Sequence, residues 1–98
     1  MRLENGYEMK TTFWVDFSIA DRYGEDAIVD TYERAFEWKN DITYMMELAI
    51  VLNHKISQYY ETNNKLAGLY DTLWRNVDEY IMENFDDESV QYYLRITD

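Results

Sequence analysis

An all-α bundle of four or five helices, with the segment from Ile42 to Glu61 at its centre, is the fold this sequence predicts. Three observations predict it. The chain has no proline and only three glycines, so little punctuates its longer stretches. Apolar residues recur with a 3.6-residue rhythm over most of its length. One segment is apolar on most of its sides, as a helix surrounded by protein would be. Ninety-eight residues that are 47% hydrophobic and 17% aromatic make a single folded domain spanning 1–98, because disorder requires low hydrophobicity as well as charge.

From the N-terminus, residues 1–12 read as an arm or a small β-hairpin, since Asn5-Gly6 is a type I′ turn signal flanked by Leu3, Tyr7 and Met9. Phe13, Val15, Phe17 and Ile19 alternate as a strand would, whereas Phe13, Phe17 and Ala20 share a helical face. A helix over Asp16 to Tyr23 is expected, because a lone strand in a helical protein has few partners. Gly24 is suited to end it. From Glu25 to Lys39, Ile28, Val29, Tyr32, Ala35 and Phe36 fall on one face, opposite Asp26, Asp30, Glu33, Arg34 and Glu37.

Asn40-Asp41 offers an N-cap for the next helix, Ile42 to about Glu61. Met45, Leu48, Ala49, Leu52, Ile56 and Tyr59 form its main stripe. Met46, Ile50 and Val51 lie off that stripe, so they mark either the centre of the fold or an outer face for self-assembly. Asn63-Asn64 turns the chain into a helix from Lys65 to Phe85, with Leu66, Leu69, Tyr70, Leu73, Val77, Tyr80 and Ile81 inward. Asp86-Asp87 stops it and caps a short last helix, Glu88 to about Arg95.

The charge is one-sided: 20 Asp and Glu face 9 Lys and Arg, a formal net charge of −11. Between Arg75 and Arg95 stand six acids, Asp78, Glu79, Glu83, Asp86, Asp87 and Glu88, and no base. Such a chain repels nucleic acid and anionic lipid and is steered toward basic partners. It has no cysteine, which excludes disulfides and thiolate chemistry and fits a reducing cytoplasm. Met1 to Gly6 lacks the apolar core of a signal peptide, and uncharged runs such as Leu48 to Asn53 are too short to cross a bilayer.

Catalytic signatures are missing. No glycine-rich phosphate loop and no Gly-x-Ser-x-Gly elbow occurs. His54, the only histidine, has no partner motif of the Glu-x-x-His kind, so neither a metal site nor a cofactor is expected. The carboxylates read first as solvated helix faces, and general acid–base work would need some of them in an apolar pocket. Ten tyrosines and three tryptophans supply side chains of the type enriched at interfaces, although they also close small cores.

Phe17-Ser18-Ile19-Ala20-Asp21-Arg22-Tyr23-Gly24, Asp30-Thr31-Tyr32-Glu33-Arg34-Ala35-Phe36 and Leu52-Asn53-His54-Lys55-Ile56 together resemble short acidic proteins of gut bacteria, their phages and their mobile elements. The resemblance runs from about Thr12 to the C-terminus and carries no assigned activity or site residues. It implies a small accessory protein that acts by binding another protein.

The expectation is therefore a non-enzymatic, cytoplasmic module that docks on a basic protein through Asp78, Glu79, Glu83, Asp86, Asp87 and Glu88. That acidic surface could imitate a phosphate backbone and occupy a nucleic-acid-binding site. The alternatives are a homo-oligomeric bundle joined through Met46, Ile50 and Val51, and a small enzyme with a carboxylate-based site.

Overall fold

In a computed structural model describing residues 6–97, five helices account for most of the chain: α1 (Phe13–Ala20), α2 (Glu25–Ala35), α3 (Ile42–Tyr59), α4 (Asn64–Asn84) and α5 (Asp87–Thr97). A single 3₁₀ turn, Phe36–Trp38, prolongs α2. The hairpin expected around Asn5-Gly6 lies partly outside the described residues. From Gly6 to Thr12 the chain is an arm with no strand.

Local chemistry sets the boundaries. α1 begins three residues before the expected start and ends at Ala20, where the amides of Asp21 and Gly24 return to the carbonyls of Phe17 and Ala20. Gly24 then takes φ +104, a left-handed conformation open to glycine and strained for other residues. At the start of α3 the Asp41 carboxylate accepts from the amides of Thr43 (2.9 Å) and Tyr44 (3.3 Å). Asn63 accepts from the Leu66 amide (3.2 Å) to open α4. Asp86 accepts from the Ser89 amide (2.8 Å) to open α5. Each cap satisfies donors that a helix start leaves unpaired.

α3 is the central helix. It packs on α1, α4, α5 and the 3₁₀ turn, with α4 as its broadest neighbour, and α2 closes against α1 and α4. Every residue from Met45 to Leu52 is buried. This overturns the outer face read for Met46, Ile50 and Val51, whose side chains sit in this chain's own core. Around Ile50, the wall is completed by Trp74 of α4 and by Tyr93 and Leu94 of α5. Among the described residues no helix is long and apolar enough to cross a membrane.

Candidate functional site

The burial of α3 carries two ionisable side chains inside, Glu47 and Lys55. Burying a charge costs several kcal/mol unless partners replace its water. Lys55, 1% exposed, lies where α1, α3 and α4 meet. Its ammonium donates to Asp21 Oδ2 (2.8 Å) and Ser18 Oγ (2.9 Å) and lies 4.5 Å from the centre of the Trp14 ring. Trp14, Ser18 and Asp21 stand at i, i+4 and i+7 along α1 and its exit turn, so one helical face supplies all three.

Asp21 is shared further. The Tyr59 hydroxyl donates to its Oδ2 at 2.6 Å, and the Tyr70 hydroxyl donates to its Oδ1. Burial and then the Asp21 carboxylate push the Tyr59 hydroxyl up to about 12 and hold the Tyr70 hydroxyl still higher. Glu47 does a similar job for the arm. Its carboxylate accepts from the Tyr7 hydroxyl (2.8 Å) and from the backbone amides of Lys10 (2.8 Å) and Thr11 (2.7 Å). Burial first, then Glu47, raises the Tyr7 hydroxyl well above its ordinary range. Among the described residues, no buried side-chain nitrogen or oxygen lacks a partner. These clusters are closed bolts that hold α1 and the arm on α3; neither leaves a polar atom waiting for a substrate.

Within the acids at 78–88, Asp78 and Asp86 have internal partners. Asp78 accepts from the Tyr93 hydroxyl (2.6 Å), tying α5 to α4; burial and then that contact raise the Tyr93 hydroxyl. Asp86 is the α5 cap, and the side chain and backbone of Ser89 hold its carboxyl below the usual range. Asp87 sits in the first turn of α5, where a negative charge suits the helix dipole. Glu79, Glu83 and Glu88 are exposed and make no ion pair among the described residues. His54 is exposed, with its ring edge-on to Trp14 at 6.3 Å. Among the described residues no three His, Asp or Glu side chains gather as a metal would need.

A different feature stands out on the other side of the molecule. α1 reads Phe-Trp-Val-Asp-Phe-Ser-Ile-Ala, with one charge in eight residues. Phe13, Phe17 and Ala20 go into the core, yet Val15 is 54% exposed and Ile19 49% exposed. Beside Ile19 runs a groove of about 690 Å³ bounded by α1, α2, arm residues 10–12 and Tyr44 of α3, in the range of concave binding sites. Ala20, Ala27 and Thr31 line it, and these short side chains leave its depth unfilled. Tyr23 and Trp38, both exposed, also line it, and Trp38 is stacked on Tyr44 at 4.7 Å between ring centres.

Lys10, Asp16, Asp30 and Arg34 are the charged residues that line the groove, and the last three have partners. Asp16 accepts from the Thr12 hydroxyl (3.0 Å), and Asp30 pairs with Arg34 (2.9 Å) with both side chains largely exposed. Farther round α2, Asp26, Glu33 and Glu37 stand exposed at i, i+7 and i+11 and make no ion pair among the described residues. With Asp30 they form an acidic crest along the outer edge of the helix. No protein-family model matches the chain, and neither a curated protein nor a solved structure matches it.

Sequence reasoning missed both the buried pair and the groove. Lys55 and Glu47 could have been suspected, since a charged residue in a helix apolar on most sides has to go inside with a partner. Val15 and Ile19 carried a second signal: they make the short α1 apolar beyond the face its core contacts need.

Proposed function

We propose that this chain is a protein-binding module without chemistry of its own, and that the surface it recognises is basic. The observation that carries the reading is α1, an almost wholly apolar helix whose outer side stands in water beside an open groove. Exposed apolar surface of this kind, rimmed by polar residues, marks interaction sites. The net charge of −11 and the acidic crest on α2 select the partner's sign. A second copy of the same chain is disfavoured, because two such bodies repel.

A protein that grips nucleic acid presents a basic surface, so occupation of a nucleic-acid-binding site is the form of inhibition this reading implies. A cytoplasmic setting and the small accessory character suggested by the resemblance both fit it. The test is affinity capture from a bacterial lysate at about 0.05 M salt, with release at about 0.5 M, using the native protein and the Ile19→Glu variant in parallel. The expected result is a basic protein held by the native chain, released by salt and lost with Ile19→Glu. If every salt-released protein binds the variant equally, the proposal fails.

A further inference from the structure

Resting on the reading above, the shape of the groove also narrows the kind of segment that fills it. Three modes of peptide recognition depend mainly on secondary structure: strand addition, polyproline docking and helix-in-groove packing. Strand addition needs an exposed sheet edge, and none exists among the described residues. Polyproline segments dock on aromatic-lined floors. Here Ala20, Ala27 and Thr31 are small, and of the four lining aromatics Phe13 is buried, Trp38 is stacked on Tyr44, and Tyr23 belongs to the turn after α1. Helix packing, by contrast, inserts a ridge of side chains between two helices, which suits walls of α-helix and a floor of short residues.

We infer that the groove takes an amphipathic helix of a basic protein, its apolar face on Ile19, Ala20 and Ala27 and its Lys and Arg side chains along Asp26, Glu33 and Glu37. Length agrees with this. α2 and its 3₁₀ extension run for 14 residues from Glu25 to Trp38, about 20 Å of helix, so an occupant of about 14 residues spans the same distance. Charge also agrees, because the crest acids have no base of their own while Asp30, nearer the groove, has Arg34. The occupant thus meets apolar surface below it and unneutralised acids along one flank. That combination orients a helix that is basic on one side and apolar on the other.

The experiment uses two synthetic peptides of about 14 residues with identical Leu and Lys content. One places leucines at helical spacing and the other scrambles them. Each is titrated into the isotopically labelled full chain and followed by amide chemical shifts and by helix content. The expected result is that the helical-pattern peptide becomes helical on binding, perturbs the amides of Ile19, Ala27 and Thr31, and binds at least about tenfold tighter than its scrambled isomer.

Ile19→Glu should weaken that binding about tenfold or more, and Glu33→Lys with Glu37→Lys should weaken it and flatten its salt dependence. Glu79→Lys with Glu83→Lys should leave it unchanged. Equal affinity for the two isomers, shifts confined to α4 and α5, or no binding by either peptide would each overturn the helix as occupant. The broader proposal is judged separately by capture that depends on Ile19, so the two can fail independently.

Discussion

The interior around α3 and the exterior of α1 break the usual distribution of residues in opposite ways. Inside, Lys55 and Glu47 are charged side chains in a place meant for apolar ones. Outside, Val15 and Ile19 are apolar side chains in a place meant for polar ones. The interior exception is fully answered within the chain, by Asp21, Ser18 and Trp14 for the lysine and by Tyr7 and two arm amides for the glutamate. The exterior one has no answer in the described residues. An anomaly that the fold resolves is structural; one that it leaves open points to another molecule.

The interior half of that contrast breaks most sharply at Lys55. Lys55→Met should cost about 3–5 kcal/mol, because Asp21, with its side chain 8% exposed, loses its cation. Urea denaturation measures this, and adding Asp21→Asn should restore part of the loss. A cost below about 1 kcal/mol would mean that the pair is not enclosed as described.

Glu47→Gln comes next, at about 1–3 kcal/mol, since an amide keeps one acceptor oxygen where the carboxylate used two. Its particular sign is local: trypsin should cut after Lys10 faster than in the native protein, because the arm has lost its anchor. Unchanged cleavage would show that something else holds residues 7–11.

Alkali tests the same interior without mutation. An unfolded tyrosine ionises near about 10, and Tyr59 in the fold ionises only at about 12, with Tyr70 higher still. A folded value raised above the unfolded one means the contribution is complete below about pH 10 and is lost as pH climbs through the folded values. Stability should therefore show no loss from these hydroxyls between neutral pH and about pH 10, then fall toward about pH 12. Circular dichroism followed alongside tyrosinate absorbance checks this. Ionisation of these two tyrosines near pH 10 with the helices intact would contradict a closed cluster.

The exterior half predicts the smallest change. Ile19→Glu should alter stability by no more than about 0.5 kcal/mol, as surface substitutions do, while removing partner binding. A large loss of stability would instead make Ile19 part of the core and dissolve the contrast.

Much of the fold was legible because its signals are local. Asp41, Asn63 and Asp86 cap helices where turn chemistry placed them, and Gly24 takes its positive φ just before α2. The surroundings of α3 were legible only as a pair of options. Its extra apolar residues required cover, but periodicity cannot say whether α4 and α5 or a second chain provides it. Met46, Ile50 and Val51 were for that reason assignable to an interface until the packing was seen. The acid run at 78–88 looked like one feature in sequence, yet Asp78 and Asp86 turn out to serve Tyr93 and Ser89.

The sequence by itself determined that this protein is helical, where most helices begin and end, and that its charge is strongly negative. Those properties depend on backbone preferences, on caps within four residues and on simple composition. Only the tertiary structure decided that Lys55 meets Asp21 across 34 residues, and that the apolar side of α1 is left facing a groove. Both depend on how helices pack after they form. Side chains distant along the chain then become neighbours, or are left without any.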